Sequence, residues 1–164
     1  MSVEHVITKL NIASVKLEFG SVTSGGKFTA SDAAAACRGM PDVHWQAFCF
    51  SYAGHHRYHA PLHDALVKFT RVMSKGNWPT GIHRTRCECH RHPAADYIPD
   101  LCSLVLIEEL HPRAMSEISR ASWFGVGERQ WHRRVKALYS VPLKEYQRWK
   151  LEAEDRIKRN LGRG

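Results

Sequence analysis

The sequence has no apolar run long enough to span a lipid bilayer. The longest, from Leu101 to Ile107, is short and interrupted, whereas a membrane-spanning helix needs about 20 apolar residues. The first residues, Met1 to His5, lack the cationic and apolar character of a signal peptide. We therefore expect a cytoplasmic protein with no membrane partner.

The chain also lacks the signatures of common catalytic sites. It has no Gly-Lys-Ser/Thr loop for nucleotide phosphates, and no Ser/His/Asp or Cys/His nucleophile set is identifiable. We therefore expect no catalytic residues and no enzyme activity. The five cysteines are an odd number, which argues against a complete disulfide framework. Cys37, Cys49 and Cys102 lie among apolar or small residues, so we expect them in the core.

Acidic residues are few, and the resulting basic excess is concentrated in one part of the chain. The sequence has 24 Lys and Arg against 16 Asp and Glu, a formal net charge of +8. Residues 113–164 contain thirteen Lys and Arg against six Asp and Glu, whereas the first 112 residues are almost balanced. A concentrated positive field attracts polyanions. The C-terminal part is therefore the candidate for contact with nucleic acid, although a solvated helical face would have a similar composition.

Hydrophobic periodicity predicts an all-α protein without a sheet. We expect a flexible N-terminal arm over residues 1–30, and a helical body over 31–112 that contains a long irregular loop over 76–97. Residues 113–164 should form a helix-turn-helix and a long terminal helix. The predicted helices run from about Thr29 to Arg38, Asp42 to Tyr52, Ala60 to Met73, Asp96 to Glu109, and, after the two of the helix-turn-helix, Pro142 to Arg159.

The segment from Ile118 to Val135 has the pattern of a helix-turn-helix. The small side chain of Ala121 allows two helices to cross closely, and Gly125 follows four residues later. At such a turn the backbone leaves the first helix through a left-handed conformation that glycine adopts without a Cβ clash. The apolar side of the second helix begins at Val126. An ordinary helical hairpin could have the same pattern.

The outward face of the second helix is basic and rich in hydrogen-bonding groups. Such a face suits the major groove of double-stranded DNA, where Arg can pair with guanine while Lys and Arg contact phosphates. Glu128 could select cytosine or cap the helix. The predicted DNA-binding residues are Gly127, Glu128, Arg129, His132, Arg133 and Lys136.

Two clusters of histidine and cysteine are candidates for metal binding. The first consists of Cys87, Cys89, His90 and His92, which could ligate zinc. Its close spacing, without a second ligand pair, favours instead a basic loop that contacts nucleic acid or polymerase. We therefore expect no cofactor, with zinc as the alternative.

The second cluster spaces its histidines at helical intervals. His55, His59 and His63 would share one face of a continuous helix, but Pro61 should break that helix. We therefore expect polar loop histidines there. A metal-dependent nuclease that uses these clusters is an alternative function.

The run from Trp123 to Tyr139 carries a Gly-Val, Trp, Arg-Arg-Val and Leu-Tyr pattern. It resembles the end of the late-gene antitermination proteins Q of lambdoid phages, and most closely their short form. The length and the basic tail agree with that family. Longer members have two separated Cys-x-x-Cys pairs, whereas this chain has only Cys87-Glu88-Cys89.

The resemblance implies a transcription antitermination factor in the cytoplasm of a host bacterial cell. Such a factor binds a DNA site near the late promoter and loads onto paused bacterial RNA polymerase, passing from the holoenzyme to the elongation complex. It then suppresses pausing and termination by narrowing the exit channel of the nascent RNA, and a second copy could bind the DNA. A helix-turn-helix repressor or activator is the alternative. Candidate contacts with polymerase or RNA are Lys75, Arg84, Arg86 and Arg91.

Overall fold

The computed structural model describes residues 35–75, 82, 84, 97–111 and 113–161. The protein is mostly helical, and the described residues contain no strand. The predicted N-terminal arm over 1–30 lies outside them, as does most of the predicted loop over 76–97. No helix in the described ranges is long and apolar enough to cross a membrane.

Most of the helices begin and end close to the residues predicted from periodicity. A short 3-10 turn, His56–Tyr58, precedes α2, and a π-helical turn, Trp131–Val135, joins α5 directly to α6. The helices are α1 Asp42–Ala53, α2 His59–Ser74, α3 Ile98–Leu110, α4 Glu117–Phe124, α5 Glu128–Gln130 and α6 Lys136–Leu161.

The chain divides into two compact units, residues 1–58 with 148–164 and residues 59–147. In the first unit, α1 packs against the last turns of α6. Phe48, Ala153 and Ile157 are buried in its core. The side-chain amide of Asn160 donates a hydrogen bond of 2.7 Å to the carbonyl of Ala36. The apolar face of the terminal helix therefore completes the core around α1.

In the second unit, α2 and α3 pack against each other. The leucines at helical spacing on the two helices, Leu62, Leu66, Leu101 and Leu104, are fully buried. Leu110, at the end of α3, is 38% exposed. The apolar periodicity of both segments therefore predicted the core of this unit correctly except at its edge.

Two expectations about proline were wrong. Pro142 lies inside α6 and does not begin it, so the helix that follows the corner runs on to Leu161. Pro61 lies in the first turn of α2, where a missing amide hydrogen costs no helical hydrogen bond. At Pro142 one hydrogen bond is lost, but buried Tyr139 and Tyr146 hold the helix on either side. Tertiary packing outweighs the local preference.

Candidate nucleic-acid interface

Helix α4 ends in a glycine corner. At its start, Ser116 Oγ accepts a hydrogen bond of 3.1 Å from the amide of Ser119. At its end, Gly125 has φ 84° and ψ 32°, and its amide donates to the carbonyl of Ala121 at 2.9 Å. The amide of Val126 donates to the same carbonyl at 3.0 Å. The left-handed glycine predicted at this turn is confirmed.

The chain after the corner begins a second helix against the core of the same unit. Gly127 precedes α5, and α5, the π-helical turn and α6 follow one another without a break. Trp131 and Val135 are buried, as predicted for the inward side. The ring of Trp131 meets that of Phe124 edge to face, with centroids 6.1 Å apart. This contact fixes the second helix against the end of the first.

Two arginines of the outward side are exposed. Arg129 lies in α5 and Arg133 in the π-helical turn, four residues apart on one continuous helix. Within the described part of the chain, neither has an ion pair or a hydrogen bond. Gly127 and Glu128 are exposed beside them. The structure thus leaves both guanidinium groups available to a ligand, and π-helical turns are frequent at functional sites.

The other two basic residues predicted at this face, Lys136 and His132, lie beside a carboxylate that the sequence did not single out. Glu117 Oε1 lies 2.5 Å from Lys136 Nζ, and Glu117 Oε2 lies 3.0 Å from His132 Nδ1. The second ring nitrogen of His132 lies 3.7 Å from Glu128. The hydrogen bond from Lys136 lowers the pKa of Glu117 more than burial raises it. Glu117 is therefore ionised at neutral pH.

A second ionic cluster lies deeper, between α3, α4 and α6. Arg120 Nε donates to Glu108 Oε2 at 2.9 Å, and the Tyr139 hydroxyl donates to the same carboxylate. Burial alone would raise the pKa of Glu108, but the hydrogen bonds from Arg120 and Tyr139 outweigh it and the net pKa is lowered. Burial, and then the bond to Glu108, raises the pKa of Tyr139. This cluster joins the three helices that support the corner.

The loop arginine that the structure describes is engaged inside the unit. Arg84 Nε donates to the carbonyl of Phe124 at 2.7 Å, and its guanidinium pairs with Asp100. The guanidinium also lies over the Phe124 ring, 4.4 Å from its centroid. Arg84 thus satisfies a carbonyl at the end of α4, which favours a structural role over the predicted RNA contact.

The remaining predicted polymerase or RNA contacts are only partly placed. Lys75 is exposed just after α2, with φ 47°. Arg86 and Arg91 lie outside the described residues, and so do the metal candidates Cys87, Cys89, His90 and His92. Among the residues that are described, no group of three or more His, Cys, Asp or Glu is placed to hold a metal ion.

The histidine cluster differs from its prediction. Because Pro61 does not break α2, His59 and His63 lie on this helix, and their rings stack with centroids 6.2 Å apart. His63 Nε2 lies 3.0 Å from the carbonyl oxygen of Pro99, a contact between α2 and α3. His55 precedes the helix. The pair is therefore part of a helical interface and not of a loop.

The cysteines predicted in the core are free thiols. Cys49 and Cys102 are buried and Cys37 is half-buried. Burial raises the pKa of Cys37 to about 11, and burial together with the nearby Cys37 raises that of Cys49 to about 12. Both thiols are protonated at neutral pH, which agrees with a packing role.

Comparison with known proteins adds no relative: no family model, no curated protein and no solved structure matches the chain. The candidate site therefore depends on the geometry of the corner and on the sequence pattern. Glu117 is the residue of this site that the sequence pattern did not predict, and it lies far in sequence from Lys136. Its position at the start of α4, just after a capping serine, was visible, but its partners depend on the direction that the chain takes after Gly125.

Proposed function

We propose that the chain binds double-stranded DNA through the surface formed by α5 and the π-helical turn, and that it acts as a phage transcription antitermination factor. The observation that carries the DNA proposal is the pair of exposed, unengaged guanidinium groups of Arg129 and Arg133 at the start of the second helix. The corner at Gly125 and the packing of Trp131 against Phe124 fix the orientation of the start of this helix.

The geometry supports insertion of a helix into the major groove. A three-residue turn, 125–127, separates α4 from α5, as in the helix-turn-helix motif of DNA-binding proteins. In that motif, the N-terminal residues of the second helix meet base edges. Gly127, Glu128 and Arg129 occupy this place and are exposed. Arg129 and Arg133 would pair with guanine O6 and N7 in a bidentate manner.

The antitermination proposal is supported by the resemblance over residues 123–139. On this proposal the corner binds DNA near a late promoter and brings the rest of the chain to paused bacterial RNA polymerase. The loop from Gly76 to Pro93 and the arm before Thr29 are the segments we assign to polymerase, where they would narrow the RNA exit channel. The bound factor would then travel with the elongation complex.

DNA binding is tested by selecting duplexes from a random library and measuring their affinity by fluorescence anisotropy. Arg129→Ala and Arg133→Ala should each weaken the selected site by about 1 to 3 kcal/mol, or about 5-fold to 150-fold. Lys68→Ala is the matched control, because Lys68 is an exposed cation of α2 without a partner in the described residues. An equal loss on random and selected DNA would contradict base readout by the arginines.

The transcription activity is tested with purified bacterial RNA polymerase. The template carries the selected site beside a promoter with a pause, followed by an intrinsic terminator. The protein should increase readthrough only on templates with the site, and Arg133→Ala should lower this effect at limiting protein. Tight binding without readthrough would identify the repressor or activator alternative.

A further inference from the structure

We propose that Glu117 is a specificity-determining residue of the DNA surface, because it keeps Lys136 and His132 from the phosphates and so suppresses sequence-independent binding. The inference rests on the proposed DNA binding. It assigns His132 and Lys136, predicted as DNA contacts, to a different role from that of Arg129 and Arg133.

The first observation is the arrangement of the ion pairs. One carboxylate contacts both side chains, with Oε1 2.5 Å from Lys136 Nζ and Oε2 3.0 Å from His132 Nδ1. Glu128 lies 3.7 Å from the other ring nitrogen of His132. Both nitrogens of His132 therefore face a carboxylate. A DNA phosphate that approaches Lys136 or His132 would therefore meet the negative charge of a carboxylate beside it.

The second observation concerns how firmly Glu117 itself is held. It is the first residue of α4, where the helix dipole favours a negative charge. Its side chain is 30% exposed, compared with 50% for Lys136 and 44% for His132. Arg120, on the same helix, adds a further attraction to the Glu117 carboxylate. Glu117 is therefore an anion held at the start of α4, with one oxygen beside Lys136 and the other beside His132.

The consequence is a division of the basic face into two classes. Arg129 and Arg133 are free to meet a ligand, whereas Glu117 pairs with Lys136 and lies against the ring of His132. Binding to DNA of any sequence depends on the number of phosphates that the protein neutralises, whereas base contacts provide specificity. Pairing Lys136 with Glu117 lowers the sequence-independent contribution and leaves the two arginines unaffected.

The test is a double-mutant cycle of Glu117→Gln and Lys136→Gln on a random-sequence duplex. Glu117→Gln should tighten binding by about threefold to tenfold, because it releases Lys136, and should steepen the slope of log affinity against log salt by about 1. Lys136→Gln should have little effect alone but should reverse much of the gain in the Glu117→Gln background. Asp64→Asn is the matched control, since it removes one negative charge from a side chain that is 75% exposed.

A measurement on the wild-type chain does not depend on any variant folding. Lys136 should react with an acetylating reagent more slowly than Lys144, an exposed lysine of α6 without an ion pair among the described residues. In Glu117→Gln the two rates should become similar. Equal rates in the wild type would overturn the inference.

Two results of the double-mutant cycle would contradict the role of Glu117. Additive effects of the two substitutions, or an unchanged salt slope in Glu117→Gln, would also overturn the inference. These results are distinguishable from failure of the proposed base readout. If the arginines do not read bases, Arg129→Ala and Arg133→Ala will leave the preference for the selected site unchanged. Glu117 and Lys136 can still be coupled in that case.

Discussion

Helix α4 carries two ionic clusters three residues apart, and they differ in burial. Glu117 pairs with Lys136 and His132 at the surface. Arg120 pairs with Glu108 inside the unit, where the two side chains are only 20% and 13% exposed. Both clusters join α4 to the helix that follows the corner, because Tyr139 of α6 also donates to Glu108.

Burial, and not the type of ion pair, decides how each of these two clusters behaves. At the surface, water and salt compete with each ion pair, so a phosphate can compete as well. Inside the unit, removal of one partner leaves a charge without compensation, so the pair cannot be exchanged without loss of stability. We therefore assign the outer cluster to control of sequence-independent DNA binding and the inner one to support of the corner.

Among substitutions in the two clusters, Arg120→Ala should have the greatest effect on stability. It should lower the free energy of unfolding by about 2 to 4 kcal/mol, because it leaves Glu108 with an uncompensated charge. Lys144→Ala, an exposed control on α6, should change it by at most about 0.5 kcal/mol. Urea unfolding followed by circular dichroism measures both. Similar losses for the two variants would show that the inner cluster does not support the fold.

The glycine corner positions both clusters and gives the next largest effect. Gly125→Ser should destabilise the chain by about 1 to 2 kcal/mol, since φ is 84° there. Gly127→Ser is the matched control. Gly127 has φ −70°, open space around a Cβ, and the N-cap position of α5, where serine is favoured. It should leave stability unchanged or raise it by a few tenths of a kcal/mol. Equal losses would mean that the left-handed conformation is not required.

The smallest expected effect is on the pH dependence of stability. The pKa of Glu108 is below its ordinary value of 4.5 in the folded chain, so its contribution is complete above about 4.5 and is lost as the pH falls through the folded value. The expected change in stability with pH is the least of these effects, because burial of Glu108 opposes the lowering of its pKa. The stability difference between wild type and Glu108→Gln should therefore shrink on acidification from pH 6. A difference that grows in acid would contradict the direction of the shift.

Local patterns predicted much of the fold and the main feature of the site. The boundaries of α1 and α2, the buried leucines of α2 and α3, and the left-handed Gly125 all follow from periodicity and backbone sterics, which act over a few residues. The predictions failed where distant residues decide the outcome. Pro142 lies within a helix because packing on both sides compensates for its lost hydrogen bond, and the pairing of Arg84 with the end of α4 has no local signal.

A helical protein, a basic excess after residue 112 and a turn at Gly125 all follow from the amino-acid sequence, because they depend on composition, periodicity and the steric freedom of single residues. Which basic side chains of the candidate DNA surface are unpaired depends instead on contacts between distant residues. Arg129, Arg133, His132 and Lys136 belong to one predicted basic face, but Glu117 reaches only the last two, because the corner places the start of α4 beside them.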